Sequence, residues 1–229
     1  MSHQTLHQLK NFGCFCPTKP TTASAEKEFA EIGFKIIRDE LSFAEQVKIL
    51  TRVPYHRMQL GRKKFKAVQE RKVDDKDSID AARDALSMYK SLIDTCGKER
   101  AAEIYTKIVD KAGFMLLADF FPTSKDFRSF DDPFDALSQY CLGFFQANEQ
   151  ASLMHINVVL LTHDEFHVDV TDCVWHAIAV ECGHPELYGI VSRGDDLFLP
   201  TMGEPFATYS RSGTLCRGNS VCDFHYFRR

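Results

Sequence analysis

Residues 154–173 read MHINVVLLTHDEFHVDVTDC, and the fold turns on them. The segments 154–162 and 166–173 are rich in β-branched residues and alternate apolar with polar, as half-buried strands do. Two arrangements are open: a hairpin turning around Thr162 to Glu165, or one long strand. Alternate side chains of a strand share a face. One long strand therefore puts His163, Glu165, His167, Asp169, Thr171 and Cys173 on one side. With a turn, His163 and Glu165 leave that face and the other four remain.

Upstream the pattern is helical. Ser24 suits a helix cap, and Phe29, Ile32, Ile36, Phe43, Val47 and Leu50 form a stripe that Glu40 interrupts. Pro54 is expected to end or kink it. KVDDKD (72–77) is a charged break before a second amphipathic helix, which Gly97 closes. A third helix is expected over 99–120. Asp132-Pro133 starts a fourth, with Asp as cap and Pro at the first position. Downstream of the quoted stretch, 174–182 and 185–192 read as short helices. Residues 205–215 and 221–229 alternate again, as a hairpin through Cys216–Ser220 with Gly218 at a positive φ. Helices, strands, short helices and strands in that order predict an α+β fold, N-terminal helices packed on an antiparallel sheet of about four strands. The expected organisation is a flexible segment over 1–24 and a single domain over 25–229, helical over 25–147 and sheet-containing over 152–229.

The chain has 229 residues, 44% of them hydrophobic, and a formal net charge of −4, enough to build a sizeable core. Without a basic excess, nucleic acid is not an expected partner. No apolar run approaches the roughly 18 residues of a membrane span, and the N-terminus lacks a signal peptide's basic start and apolar core. The reading is a soluble, cytoplasmic protein. Its eight cysteines are scattered, without a disulfide framework, and Cys14-Phe15-Cys16 has no second pair at zinc-finger spacing. There is no βαβ alternation and no phosphate-binding glycine loop.

The last hundred residues carry a motif set. DVTDCVWHAIAVECGHPELYGIVSRGDDLFLP and FATYSRSGTLCRGNSVCDFHYF resemble the L-2-amino-thiazoline-4-carboxylic acid hydrolase family. The matching features are a strand ending in Cys173, the step Gly183-His184-Pro185-Glu186-Leu187, and the Thr214-Leu215-x-x-Gly218-x-x-x-Cys222-x-Phe224 element. The family's Cys-x-x-Asp stands here as Ser192-Arg193-Gly194-Asp195: the Asp is kept and the Cys is replaced. The texture is shared with vinyl-reductase-type ligand-binding domains. The resemblance implies hydrolytic opening of a small cyclic amidine or amide at a C–N or C–S bond. In the named activity, the thiazoline opens to N-carbamoyl-L-cysteine.

The candidate catalytic residues are Cys173, His167, Asp195, Asp169 and Glu181. Cys173 ends a strand before a short helix whose positive N-terminus favours a thiolate; as an ordinary residue it is a small buried hydrophobe. His167 is a candidate base with Asp169 as its orienter, although same-face strand neighbours about 6–7 Å apart are too far for a direct hydrogen bond. Asp195, expected in a loop with Asp196, could activate water. Either Cys173 attacks, or water does, activated by His167 or Asp195. Arg217 is the candidate partner for a substrate carboxylate, with Ser192 and Cys222 as further substrate-binding positions. No cofactor is expected. A divalent metal at His163 and His167 needs a turn between them, because one strand would hold them about 13 Å apart. The expected partner is a small-molecule substrate, and homo-oligomerisation is left open. The competing readings are a sensor module that binds a small ligand without turning it over, and a scaffold working through the N-terminal helices.

Overall fold

The computed structural model describes residues 23–229. The flexible segment expected over 1–24, with Cys14 and Cys16, lies outside them apart from Ala23 and Ser24, which are helical.

The N-terminal half is a stack of helices: α1 (Ala23–Glu40), α2 (Phe43–Arg62), α3 (Lys66–Arg71), α4 (Lys76–Cys96) and α5 (Lys98–Ile108). The stripe expected as one helix is broken at Ser42, whose side chain and Glu45 form a reciprocal capping box at the start of α2. Pro54 does not end α2. It sits on the exposed face, where water can serve the Leu50 carbonyl that proline leaves without a donor. Asp75 caps α4 through the Ser78 amide, and Gly97 (φ 86°) closes it. The third expected helix is interrupted: α5 passes through a π-helical turn (Val109–Gly113) into α6 (Phe114–Phe120). After the short α7 (Ser124–Phe127), Asp132 caps α8 (Pro133–Gln150), accepting from the amides of Phe134 and Asp135.

The quoted stretch is a hairpin, β1 (Met154–Leu161) and β2 (Glu165–Cys173), closed by a 2.8 Å bond from the Thr162 amide to the Glu165 carbonyl. Glu165 stays on the β2 face that carries His167 and does not leave it, since the turn ends one residue earlier. The helices α9 (Val174–Glu181) and α10 (Glu186–Val191) follow. Arg193–Gly203 is a further helix, α11, where a loop was expected around Asp195. Both Asp195 and Asp196 lie in its first turn, where carboxylates complement the helix dipole. Strands β3 (Ala207–Ser210) and β4 (Cys222–Arg228) pair as expected, but a long connection with a 3₁₀ turn (Leu215–Arg217) joins them. Gly218 has φ 86°.

The sheet is antiparallel in the order β1-β2-β4-β3. Its inner face (Phe166, Val168, Val170 and Tyr226) packs with Leu137, Phe145, Phe198 and Met202 of α8 and α11. The N-terminal helices build a second core around Leu86, Tyr89, Leu92 and Ile104, which reaches α9 and α10 through Val174, Ile178 and Leu187. The sheet is thus covered directly by α8 and α11, and the earlier helices lie behind. Trp175 packs against both cores. Among the described residues, no helix is long and apolar enough to cross a membrane.

Candidate active site

A strand irregularity decides which residues share a site. Ile156 pairs with Val170, but His155 pairs with Asp172 and Met154 with Cys173, so Thr171 is an extra residue on β2. A bulge of this kind reverses the alternation beyond it. Cys173 therefore packs with the inner core and does not share a face with His167 and Asp169. The expected polar wall is split in two.

On the outer face, His167 Nε2 meets Asp169 Oδ1 at 3.0 Å. The expectation that these neighbours are too far apart fails because the side chains lean toward each other along the strand. His167 stacks on His225, with ring centroids 4.5 Å apart, and His225 lies 3.5 Å from Glu165. Asp223 accepts from the amides of Ser212 and Gly213 and so holds the connection after β3. His163 lies in the turn. Among the described residues, no group of three His, Cys, Asp or Glu is placed to hold a metal.

On the inner side, Cys173, Cys216 and Cys222 come within electrostatic reach of one another; Tyr188 lies near Cys173 and Cys216, and Asp195 and Arg211 lie near Cys216 and Cys222. Cys173 is the N-terminal flanking residue of α9. The amides of Trp175 and His176 pull its thiol pKa down, but burial outweighs them and pushes it up to about 11. Burial likewise pushes Cys216 up to about 12, and it raises Cys222, whose sulfur accepts from the Leu215 amide at 3.2 Å. These are neutral thiols at pH 7, and the six cysteines among the described residues are all unbridged.

The charged part of this inner cluster is built by α11 and the segment after β3. The Arg211 side chain is 2% exposed, with Nη1 at 3.3 Å from Asp195 and Nη2 at 2.6 Å from Asp196. Its Nη2 donates to the Ser192 carbonyl at 2.7 Å, and its guanidinium lies 5.2 Å from the Phe224 ring centre. Asp195 keeps 35% of its side-chain surface accessible although protein crowds it. Burial pushes its carboxyl up to about 6; Arg211 opposes the rise and Asp196 adds to it. Arg211 Nε, Tyr209 Oη and Thr214 Oγ1 are buried without a partner within the protein. Unpaired buried polar groups cost about 1–3 kcal/mol each, so their clustering suits a polar group brought from outside.

The elements hold this arrangement firmly. Arg193 makes a two-pronged contact with Asp110 of the π turn, at 2.9 and 2.8 Å. Gly194 packs against that turn: a side chain there would meet Leu117 at 3.3 Å.

The other sequence-derived candidates stand apart. Glu181 binds the Lys66 amide at 2.8 Å and faces Lys63, tying α9 to the N-terminal helices. Ser192 donates to the Gly189 carbonyl at 3.3 Å. Arg217 is exposed at the rim and reaches Asp196 at 3.4 Å. Cys222 comes near both Cys173 and Asp195; His167 and Asp169 are not with them. Arg211, Tyr209, Tyr188 and Cys216 are the members that sequence reading missed. A signal for two of them exists: in Ala207-x-Tyr209-x-Arg211 the arginine keeps phase with buried Ala207.

Residues 81–226 match the family model described as L-2-amino-thiazoline-4-carboxylic acid hydrolase, a span that contains every residue of the inner cluster. No curated protein and no solved structure matches the chain.

Proposed function

Because the chain belongs to the L-2-amino-thiazoline-4-carboxylic acid hydrolase family, we propose that it hydrolyses a small, heterocyclic, amino-acid-type substrate at the inner cluster. The observation that carries this reading is the pairing of Asp195, its carboxyl pushed up to about 6, with the buried Arg211.

Arg211 Nε and Tyr209 Oη are the free donors that would take the substrate carboxylate, and Arg211 replaces Arg217 as its anchor. Asp195 and Asp196 offer negative charge to a protonated ring amidine. A zwitterion thus meets both signs. Ionised Asp195 takes a proton from water as the water oxygen bonds to the amidine carbon. The tetrahedral intermediate collapses by breaking the ring C–S bond; the proton held by Asp195 passes to the leaving sulfur, and the hydroxyl proton on the former amidine carbon leaves to solvent as the carbonyl forms. Protonated substrate plus one water thus gives the ring-opened carbamoyl thiol and one proton, the one the amidinium brought in. Cys173, a neutral thiol at the start of α9, serves better as a donor beside the intermediate than as the attacking group.

A second reading is a binding module. It is favoured by Ser192, which stands where the family motif has cysteine and whose hydroxyl is bonded within its own turn.

The test is mass spectrometry of purified protein, with and without added divalent metal, incubated with L-2-amino-thiazoline-4-carboxylate and a panel of cyclic amidines and lactams. A product heavier by one water is expected. Asp195→Asn should lower kcat at least about 100-fold, within the usual range for a lost general base. Arg211→Lys should act mainly on KM. Wild-type turnover in Asp195→Asn would sink the mechanism. Thermal stabilisation by one compound without product would establish the binding module.

A further inference from the structure

Helix α2 is apolar on two sides. Inward, Ile49 and Leu60 are buried in the N-terminal core and Val53 packs against it. The polar groups beside that face are satisfied within the protein: His56 meets Asp94 at 2.8 Å, Arg57 pairs with Asp80 and Asp84, and Arg52 bonds the Asp94 carbonyl. Its outward side is apolar as well. Phe43 is 80% exposed and Leu50 61%, and Val47, Pro54, Tyr55 and Met58 continue the stripe. Between Phe43 and Gln59, Lys48 is the one exposed charged side chain. A surface helix normally directs its apolar stripe inward, so this face is built to be covered.

We propose that a second copy of this chain covers it, through antiparallel α2–α2′ packing about a two-fold axis near Leu50. Three features select that occupant. Leu50 lies at the middle of the stripe, so the two-fold sets Phe43 against Met58′ and Val47 against Pro54′, apolar on apolar throughout. The face offers almost no charge for an acidic or basic partner to complement, and antiparallel packing keeps the two Lys48 side chains at different heights, whereas parallel packing would set them level. The apolar side chains of the stripe supply on the order of 600 Å² per copy, which with a polar rim approaches the roughly 800 Å² per partner of a stable interface. The surface lies outside residues 81–226, so the dimer stands or falls independently of the hydrolase reading.

The test is sedimentation velocity of the full chain from about 1 to about 100 µM. Wild type is expected to be a dimer. Leu50→Glu and Leu50→Lys should each weaken it at least about 100-fold, with the melting temperature extrapolated to low concentration unchanged because the site is exposed. An equimolar mixture of the two variants should dimerise again, since opposite charges then meet near the axis. A wild-type monomer at about 100 µM, a Leu50→Glu variant that dimerises like wild type, or a mixture that stays monomeric overturns the proposal. So does a monomer whose α2 face is filled by a peptide of residues 1–22, which would assign the surface to the chain's own N-terminal segment.

Discussion

In the proposed mechanism Asp195 is the base, its carboxyl raised by burial and held beside Arg211. A general base works only when ionised, so kcat/KM should rise with pH through about 6 and level off above it, and this ascending limb should vanish in Asp195→Asn. The pH dependence of residual activity checks this. Cys173 gives the contrasting expectation. With its thiol near 11, Cys173→Ala should retain turnover within about 10-fold, and intact-protein mass spectrometry under turnover should show no covalent adduct. An adduct on Cys173 would restore the covalent route. At this scale the sequence was half legible. Asp195, Cys173 and Cys222 could be named from the motifs. Arg211 was missed, because an arginine among serines reads as a surface residue unless its phase with Ala207 is followed.

At the scale of elements, the β2 bulge matters most: by adding Thr171 it sends Cys173 inward and leaves the histidines outside. The outer pair should then contribute to stability in place of catalysis. Burial, and next the stacked His167, hold His225 below the usual 6.5, against the pull of Glu165 and Asp223. The folded protein therefore binds fewer protons here than the unfolded chain. This contribution is fully present above about pH 6.5 and is lost as pH falls through the folded value. His225→Asn should flatten the drop in melting temperature between about pH 7.5 and 5.5, measured by circular dichroism; an undiminished drop would clear the histidine of the effect. The connection after β3 makes a second, steric demand. A Cβ on Gly213 would meet Asn219 at 2.9 Å, and Asn219 Oδ1 accepts from the Thr214 amide. Gly213→Ala should cost about 1–3 kcal/mol in denaturant unfolding. The start of α8 was legible from its local cap, Asp132; α4 instead begins at Lys76, inside the expected charged break, because Asp75 caps it. Helix α11 was not, because Gly194-Asp195-Asp196 reads as a turn until Arg193 and the π turn pin it.

The whole molecule has two cores joined by α9 and α10, and the only tryptophan sits at the joint, packed against both, its Nε1 donating to the Ser78 carbonyl at 3.3 Å. If that joint is cohesive, tryptophan fluorescence and far-ultraviolet circular dichroism should follow one unfolding transition. Leu86→Ala in one core and Leu137→Ala in the other should each shift both probes together, by about 2–5 kcal/mol. Separate transitions would show two independently folding halves. The inner cluster draws on Cys173 at the start of α9 and Tyr188 of α10, so it depends on this joint.

The sequence by itself determined the α+β class, the strand-forming segments, several helix starts and the motif-bearing residues. Those depend on period, caps and turn chemistry, which act over a few neighbouring residues. Tertiary structure alone decided which of these residues meet. The parity switch at Thr171, the burial that keeps the thiols neutral and raises Asp195, and the seat of Arg211 against α11 each come from contacts between distant segments. Local spacing is blind to such contacts, and one extra residue in a strand is enough to exchange its two faces.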